Sequence, residues 1–447
     1  MYKKNLIFTI EVKAREMIPK CHLALEAIQA GFRVYIGTFT SVNFLMPKVG
    51  PNLILHKSGY RKRAQKYKEK YQSVFTVMDE EAGVAIPRSM RGEFCRVRYD
   101  HFNSDKYDHM FVIGEGYAKL LSRMPNMQGI NVHVTGWPRI DLWRPEYAYL
   151  YDSEKQRIKA EHGDYVLVIT SFGVTSENSF RKLMKHPQAA VLSEIYEHKY
   201  EAFQEYLDML IELSAKYDGK IVVRPHPSES LEDWRALLAD CKNVHVERSG
   251  DVTPWLLAAK ALVVYGSTVA VQALLNGIPS VQYRIKQQQG ITDTAVFEAS
   301  QAASSVDELL QFISRDKGVL DSDSEERLSE IGSEISALRG ETAASNLVRE
   351  LDAIAVESTE EASFSAFERW GHAMWKAFKN SECKLLKRFG TVRACRSDKV
   401  PGGISADEIG SQLKSLAQAH GLGDSDTIRC EQLTEDLVLL EVRTPNS

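Results

Sequence analysis

The sequence predicts an α/β protein built from two doubly wound, Rossmann-like domains that face each other across a cleft. Short apolar segments rich in β-branched residues alternate with segments of helical periodicity, which is typical of parallel βαβ units. Two such series occur, and the polar stretch 152–163 separates them. A chain of 447 residues is also too long for one compact core. We place the domains at 1–150 and 151–355, followed by a C-terminal extension, 356–447, of helical and small α/β character.

The first series opens with the strand Leu6–Ile10 and a helix that extends to about Ala30. Gly31 ends the helix, and Arg33–Gly37 forms the next strand. This β-α-β order predicts a parallel sheet with right-handed crossovers. The loop after the first strand lacks the G-x-G-x-x-G pattern of dinucleotide enzymes, which disfavours NAD as a cofactor.

The composition limits the class of partner and the compartment. The chain has 56 basic and 60 acidic residues and a net charge of −4, which argues against nucleic-acid binding. Its six cysteines show no paired spacing, so we expect neither a disulfide framework nor a zinc site. No run approaches the ~18 apolar residues that span a bilayer, and the N-terminal residues are typical of a first strand rather than a signal peptide. These features predict a soluble cytoplasmic protein that contacts the inner membrane at most peripherally.

Two predicted strands of the second domain end in loops that suit a phosphate group. The strand Ile221–Val223 is followed by Arg224 and by two prolines that enclose His226 in a rigid loop. About forty residues later, the strand Ala261–Tyr265 leads into Gly266–Thr268 and then a helix. Ligands of open α/β sheets bind at the carboxyl ends of strands. An imidazole and a hydroxyl-bearing turn there indicate a site for a phosphate that is also a leaving group; the alternative is a histidine that merely satisfies local polar groups.

A third loop of the second domain has similar chemistry. The predicted strand Tyr165–Ile169 is followed by Thr170–Thr175, a segment with hydroxyl groups and a glycine. The backbone N–H groups of such a loop can bind a phosphate or a ribose.

The first domain carries charged residues after its predicted strands. Asp79, Glu80 and Glu81 follow a buried strand, and their repulsion would raise the pKa of at least one carboxyl group toward acid/base use. An acidic start of the next helix is the alternative. Glu11 and Arg15 follow the first strand, where they contact either a ligand or the helix N-terminus.

Two further segments of the first domain allow more than one interpretation. The loop Thr135–Asp141 contains Gly and Pro and presents Arg139 and Asp141. In one interpretation Arg139 clamps a substrate carboxylate and Asp141 is a nucleophile. In the other, the two residues are partners in a structural salt bridge. The basic, tyrosine-containing stretch Lys57–Lys70 is typical of a solvated helix face, with a surface for an anionic acceptor or lipid as the alternative.

The C-terminal extension contains an aromatic stripe at helical spacing, followed by lysines and an arginine. It packs on the main body, or it forms an interfacial helix that contacts an anionic membrane or a protein of glycan assembly. The stripe consists of Phe364, Phe367, Trp370, Met374, Trp375 and Phe378.

The order and spacing of these motifs resemble the bacterial surface-carbohydrate biosynthesis family of GT-B glycosyltransferases, related to the retaining β-Kdo transferases of capsule and lipopolysaccharide assembly. More distantly, the chain is similar to bacterial sialyltransferases and to glycerophosphotransferases that use CDP-glycerol. The similarity runs from about residue 5 to about residue 285. The matching motifs are Glu11–Glu16 (E-V-K-A-R-E), Asp79–Gly83, Thr135–Asp141 (T-G-W-P-R-I-D), Arg224–Pro227 and Gly266–Thr268.

The resemblance implies a GT-B fold and transfer of Kdo, or a related nonulosonic acid, from a CMP-sugar to a surface glycan or glycolipid with retention of configuration. The first domain would hold the acceptor and the second the donor, with no metal and no cofactor besides the CMP-sugar. The implied catalytic residues are Asp141 as nucleophile, Glu81 or else Glu80 as acid/base, and His226 as the group that protonates the leaving phosphate. The implied donor-binding residues are Arg224, Pro227, Gly266, Ser267, Thr268, Ser171, Gly173 and Gln272, and the implied substrate-binding residues are Glu11, Arg15 and Arg139.

Two positions depart from the family pattern. Ala82 is inserted before Gly83 in the acidic motif, and Gln272 stands where many such folds have a glutamate that holds ribose. The alternative functions are those of a CDP-glycerol-type transferase, a UDP-sugar 2-epimerase and a catalytically inactive scaffold for glycan assembly.

Overall fold

The computed structural model describes most of the chain. The described ranges are 4–57, 64–80, 84–185, 189–284, 290–314, 323–356, 360–388, 395–419 and 428–442.

The strands are short, and those at the centre of each sheet are almost entirely buried. Because helices cover both faces of a parallel sheet, its strands are nearly continuous apolar runs. In chain order the strands are β1 (Lys4–Ile10), β2 (Phe32–Thr38), β3 (Leu53–His56), β4 (Val74–Met78), β5 (His109–Val112), β6 (Asn131–Val134), β7 (Tyr165–Ile169), β8 (Lys220–Arg224), β9 (Val244–Val246), β10 (Ala261–Val264), β11 (Ser280–Tyr283), β12 (Gln301–Ala303), β13 (Ile428–Thr434) and β14 (Leu437–Val442).

The helices alternate with the strands until the C-terminal part of the chain. In chain order they are α1 (Lys13–Gln29), α2 (Phe39–Leu45), α3 (Ala64–Tyr71), α4 (Arg91–Arg98), α5 (Glu115–Leu121), α6 (Pro138–Asp141), α7 (Asp152–His162), α8 (Glu177–Leu183), α9 (Ala189–Lys216), α10 (Leu231–Leu237), α11 (Val252–Ala258), α12 (Val269–Leu275), α13 (Ala295–Glu298), α14 (Val306–Ile313), α15 (Ser324–Gly332), α16 (Ala343–Ala353), α17 (Ala366–Arg388), α18 (Arg396–Lys399) and α19 (Ala406–Ala419).

The chain forms two compact units, each organised around one sheet. The first unit comprises Met1–Glu81, His101–Leu142 and Arg339–Ser447, and its strands lie in the order β13-β14-β2-β1-β3-β4-β5-β6. From β2 to β6 all pairs are parallel, and the order of β2, β1, β3, β4 and β5 is that of flavodoxin-like sheets.

The second unit comprises Ala82–Asp100 and Trp143–Leu338. Its strands lie in the order β12-β11-β10-β7-β8-β9, and every pair is parallel. Counted from β7 as the first strand, this is the 3-2-1-4-5-6 order of Rossmann domains, with the switch point between β7 and β10. The prediction of two Rossmann-like α/β units is therefore confirmed.

The C-terminal extension is part of the first unit. Strand β14 pairs antiparallel with β2, with Leu439 opposite Tyr35, and β13 pairs antiparallel with β14. These two strands extend the first sheet by a hairpin at its β2 edge. The predicted boundary at residue 356 therefore does not separate a third domain, because β14 makes main-chain hydrogen bonds to the first sheet.

The segment 84–100 belongs to the second unit, although the prediction placed it in the first domain. The guanidinium group of Arg88 bonds to three carboxylates of that unit: Glu298 at 2.7 Å, Glu334 at 2.9 Å, and Asp293. A local hydrophobic pattern could not have revealed these partners, which lie 205 to 246 residues away along the chain.

The structure differs from the sequence prediction in one cysteine pair. Cys383 and Cys395 form a disulfide with a Cα–Cα distance of 5.8 Å. A separation of 12 residues shows no motif in sequence, but the end of α17 and the residue before α18 lie within disulfide reach. Among the described residues, no helix is long and apolar enough to cross a membrane.

Candidate functional site

The carboxyl ends of three adjacent strands in the second unit bring the predicted donor-site loops together. In the sheet β7 lies between β10 and β8, and Ile169 is paired with both Val264 and Arg224. The loops that begin at Thr170, Pro225 and Tyr265 therefore leave the same edge of the sheet, at its topological switch point.

The side chain of His226 is held by the residue two positions further on. Its Nδ1 accepts the backbone N–H of Ser228 at 3.2 Å and lies 2.7 Å from the Ser228 hydroxyl oxygen. Because a backbone N–H can only donate, Nδ1 is the acceptor, and the proton of a neutral imidazole sits on Nε2. Within the described residues no hydrogen bond uses Nε2, so this N–H is available to a ligand.

Several charges act on the imidazole. Desolvation lowers the pKa of His226, and the positive charges of Lys199 and Arg248 lower it further, while Glu229 acts in the opposite direction. Desolvation likewise lowers the pKa of Lys199. The neutral form of His226 is thus favoured. Arg248 is held beside it, because its Nη1 donates to the carbonyl oxygens of His226 at 3.1 Å and Glu229 at 2.7 Å.

A buried carboxylate, Glu229, joins the loops after β7 and β8. Its side chain is 3% exposed. Oε1 accepts the backbone N–H groups of Phe172 at 2.7 Å and Gly173 at 3.0 Å. Oε2 accepts the indole N–H of Trp234 at 2.9 Å and the hydroxyl of Thr170. The sequence analysis missed Glu229 because an acidic residue before a helix is typical of a helix N-terminus.

This network changes the interpretation of the loop Thr170–Thr175. We expected its backbone N–H groups to bind phosphate or ribose, but those of Phe172 and Gly173 already bond to Glu229. Gly173, at φ +75°, takes the conformation that allows this bond. The backbone N–H of Gly173 is therefore not available to a donor, whereas a contact of the half-buried Ser171 with the donor stays a prediction.

The turn after β10 is built around Gly266. Its φ is +53°, and a Cβ atom there would lie 3.1 Å from the ring of Phe297. Its N–H donates to Oε1 of the buried Gln282 at 3.0 Å. Gly266 thus shapes the turn, which explains why this position requires glycine.

Ser267 and Thr268 are half-buried at the start of α12. The Ser267 hydroxyl accepts the N–H of Val269 at 3.4 Å, and the Thr268 side chain makes no capping hydrogen bond. Because α12 has only seven residues, the hydroxyl groups rather than the helix dipole are the groups to consider for a phosphate.

Two other predicted donor-binding residues have structural partners. Gln272 is 1% exposed, and its Nε2 donates to the hydroxyl of Thr253 at 2.9 Å, so it does not substitute for a ribose-binding glutamate. Arg224 is 5% exposed, lies 4.8 Å from the ring centroid of Trp255, and donates to the carbonyl oxygen of Gly250 at 3.1 Å. Desolvation lowers the pKa of Arg224 to about 10, against the opposing effect of nearby acidic groups. Pro227 is exposed.

In the first unit, the acidic motif is described as far as Glu80, and Glu81 lies outside the described residues. Glu80 is half-buried, and its buried oxygen Oε1 has no hydrogen-bond partner among the described residues. Asp79, immediately before it, is buried. The acid/base role of Glu80 and Glu81 stays a prediction.

Asp141 has a structural environment that does not suit a nucleophile. It is completely buried, and its Oδ1 accepts the N–H of Ala343 at 2.8 Å. Oδ2 accepts the N–H of Ala344 at 2.9 Å and lies 3.1 Å from Nε2 of the buried His22. Both oxygens are therefore occupied at the first turn of α16. We assign Asp141 to the support of this helix and withdraw the prediction that it attacks an anomeric carbon.

The charged residues after β1 form an ion-pair cluster within the first unit. Glu11 is paired with Lys57 at 2.7 Å and with Lys399, and its N–H donates to Glu16 at 2.8 Å. Burial acts to raise the pKa of Glu11, but the hydrogen bonds from Lys399 and Lys57 outweigh it and lower the pKa to about 2. Arg15 lies 3.3 Å from Glu16. The contacts of Glu16 match the helix-start interpretation, and a substrate role for Glu11 and Arg15 stays a prediction.

Arg139, the remaining predicted substrate-binding residue, lies in α6. It is half-buried, and its guanidinium carbon is 5.6 Å from the ring centroid of Trp137. The basic stretch after Lys57 is described from Ala64 onward; there Lys68 pairs with Asp108 at 2.7 Å, and several neighbours are exposed, as expected for a solvated helix face.

Comparison with known proteins gives structural likeness alone. Neither a protein-family model nor a curated protein sequence matches the chain. The chain is similar to the UDP-GlcNAc 2-epimerase of Methanocaldococcus jannaschii, with 13% identity, a TM-score of 0.47, and coverage of 78% of this chain and 99% of that one. It is also similar to the wall teichoic acid polymerase TagF, with 11% identity, a TM-score of 0.48, and coverage of 78% and 88%. A third similar structure is the complex of S. aureus MnaA with UDP, with 13% identity, a TM-score of 0.44, and coverage of 81% and 100%. Similarity at this level assigns neither a substrate nor a reaction.

Proposed function

We propose that this chain is a transferase that takes its donor group from an activated nucleotide, with the donor phosphate bound at the carboxyl ends of β7, β8 and β10. The observation that carries the proposal is the strand order of the second sheet, which delivers His226 and the turn Gly266–Thr268 to one edge at the switch point. Two cations, Lys199 and Arg248, act on His226 and add the positive charge that a phosphate needs.

The proposed donor is a CMP-linked nonulosonic acid such as Kdo, and the proposed acceptor is a hydroxyl group of a surface glycan or glycolipid. The order and spacing of the five motifs, which resemble those of the surface-carbohydrate transferases, support this choice.

His226 has a defined part in the proposed reaction. In the resting site its Nε2–H donates a hydrogen bond to a phosphate oxygen of the donor. Because Nδ1 accepts the N–H of Ser228, the ring stays neutral, and the bond from Nε2–H to the phosphate oxygen strengthens as negative charge builds up on the leaving group. The bond between the anomeric carbon and the phosphate oxygen breaks, and CMP leaves with the electron pair. The acceptor oxygen then forms the new bond, and Glu80 or Glu81 takes its proton.

The buried position of Asp141 bears on the stereochemistry. A double displacement needs a carboxylate that can reach the anomeric carbon, and both oxygens of Asp141 are engaged by α16 and His22. Retention of configuration therefore does not follow from Asp141, and NMR of the product measures its anomeric configuration.

The buried position of Asp141 favours a second candidate function, transfer of a polyol phosphate from a CDP-glycerol-like donor. That reaction attacks phosphorus and needs no anomeric nucleophile, so a buried Asp141 is compatible with it. It would use the same phosphate site in the second unit. A UDP-sugar 2-epimerase, the third alternative, would convert its substrate with no acceptor present.

The deciding experiment measures nucleotide release from CMP-Kdo, a CMP-sialic acid, CDP-glycerol and UDP-GlcNAc, with and without a glycan acceptor. We expect CMP release from CMP-Kdo, and a decrease of ~10²-fold or more in His226→Ala, the scale of losing a positioned hydrogen-bond donor to a developing negative charge. His245→Ala is the matched control, because His245 is an exposed histidine on β9 of the same unit.

Each other outcome has a definite meaning. If CMP is released from CDP-glycerol and from no other donor, the second candidate function replaces the first. Turnover of UDP-GlcNAc without an acceptor would replace both by an epimerase. Equal activity of His226→Ala and the wild type on every donor would remove the phosphate site described here.

A further inference from the structure

An exposed apolar stripe runs along α17, the longest helix of the C-terminal extension. Phe367 is 78% exposed, Trp370 61%, Met374 54%, Phe378 65% and Leu385 55%. Their spacing of three, four, four and seven residues places them on one face of the helix. Contiguous apolar side chains that are this exposed are typical of a surface that binds a partner or a membrane. We call this set the α17 stripe.

The opposite face of α17 attaches the helix to the first unit. His372 is buried and lies 4.8 Å from the ring of Phe44, which also stacks on Phe364 at 4.9 Å. Lys376 pairs with Asp436 at 2.6 Å, and Glu368 pairs with Lys48 at 2.7 Å. These contacts fix the helix with the α17 stripe directed away from the unit. Among the aromatic residues of the stripe that the sequence predicted, Phe364 alone is buried against the first unit, as the packing interpretation requires.

The charge of α17 indicates what covers the stripe. The helix has six basic and two acidic side chains, a surplus of four positive charges in a chain whose net charge is −4. Lys379 follows Phe378 by one residue and pairs with Glu382 at 2.7 Å, and Lys384 precedes Leu385 by one, so the two lysines flank the stripe on opposite sides. Within the described residues, Lys384 and Arg388 form no ion pair with a carboxylate. The basic residues of the helix are Arg369, Lys376, Lys379, Lys384, Lys387 and Arg388.

A bilayer interface fits these features better than another copy of the chain does. Two copies joined through the stripe would bring two positively charged helices together. Twenty-three residues form a helix about 34 Å long, and α17 is too polar to cross a membrane. A helix with an aromatic face and flanking lysines lies in the headgroup region, where its apolar face enters the acyl boundary.

We propose that α17 binds an anionic phospholipid surface, with the stripe inserted at the interface and the flanking lysines on the lipid phosphates. This inference goes beyond the transferase function and does not rest on it. It provides a membrane contact that is separate from both the phosphate site and the acidic motif.

The test is co-sedimentation of the full chain with vesicles of phosphatidylcholine alone or with about one third phosphatidylglycerol. We expect binding to the anionic vesicles that weakens at ~1 M salt, because salt screens the lysines. Trp370→Ser with Phe378→Ser should decrease binding tenfold or more, on the order expected from removing two large inserted side chains. Ile211→Ser is the control, since Ile211 is an exposed apolar residue of α9, 47% exposed.

Three results would overturn the proposal. One is equal binding of the wild type and the double serine variant to anionic vesicles. Another is binding to neutral vesicles that Lys384→Glu with Arg388→Glu leaves unchanged. The third is a dimer in sedimentation velocity that the serine variant dissociates, without vesicle binding by either protein; this would assign the stripe to a second copy. Far-UV circular dichroism of the variants checks that α17 is still folded.

Discussion

The carboxylate of Asp141 lies 3.1 Å from Nε2 of His22, and neither side chain is reached by solvent. The same carboxylate accepts two backbone N–H groups at the start of α16. The pair therefore joins α1, α6 and α16 within the first unit.

We expect Asp141→Ala to decrease the free energy of unfolding by about 2–4 kcal/mol, because it leaves buried N–H groups without an acceptor. Asp141→Asn keeps one carbonyl oxygen and should destabilise less. Urea denaturation gives both values. A folded Asp141→Asn protein with a wild-type midpoint but with transfer decreased by more than ~10²-fold would restore the role of nucleophile.

The contact between Glu229 and Trp234 permits a compensation experiment. In Glu229→Gln, the amide nitrogen would face the indole N–H of Trp234, and two donors would meet at about the 2.9 Å of the present bond. We expect destabilisation of about 1–3 kcal/mol and weaker CMP binding, because the loop Thr170–Thr175 loses an anchor. Trp234→Phe removes one of the two donors.

The double variant Glu229→Gln, Trp234→Phe should therefore lose less stability than the sum of the single variants. Calorimetric CMP titration and urea denaturation measure the two effects. Strict additivity would show that the carboxylate does not organise the loop through this contact.

Gly266 and Gly250 form a matched pair for separating backbone strain from steric contact. Both have positive φ, +53° and +66°, but only at Gly266 would a Cβ atom meet another group, the ring of Phe297. We expect Gly250→Ala to cost on the order of 1 kcal/mol from backbone strain. Gly266→Ala should cost more and should also weaken nucleotide binding, since it displaces the turn that carries Ser267.

Thermal denaturation and CMP titration of the two alanine variants provide the comparison. If nucleotide binding decreased equally in the two variants, the turn after β10 would have no special role in the nucleotide site.

The stability of the fold should decrease in mild acid. Burial lowers the pKa of His198, Glu201 acts in the opposite direction, and Lys199 lowers the pKa further with a smaller effect; neither ring nitrogen has a hydrogen-bond partner in the described structure. The unfolded chain then binds more protons than the folded one below about pH 6.5, so the stabilisation present above that pH is lost as the pH falls.

We expect the free energy of unfolding to fall between pH 7 and pH 5, by at most about 1.4 kcal/mol per pH unit for each such histidine. His198→Phe should flatten the profile, because Phe keeps the contact with Tyr265, whose ring centroid lies 6.1 Å away. The exposed His245→Gln serves as the control. An identical slope in His198→Phe and wild type would refute the assignment.

What the sequence predicted correctly was encoded locally. The buried strands β7, β8 and β10 are short apolar runs, and the residues that stop them, Pro225 and Gly266, are visible in the same stretch. The neighbours of polar side chains were not predictable in this way. Glu229 bonds to Phe172, 57 residues away, and Asp141 to Ala343, 202 residues away. Only the folded chain shows that these two carboxylates support loops and helices.

The hairpin β13–β14 has a consequence for biosynthesis. In the first sheet, β1 is synthesised before the strands of the second unit, yet β14, the strand that covers the β2 edge, is synthesised after them. The second unit, which ends at Leu338, can fold during translation while the first still lacks residues 339–447. During that interval the backbone of β2 is an open edge that can pair with another nascent chain. The first unit is therefore completed after the second, and a chain truncated before β13 would keep an open, aggregation-prone β2 edge.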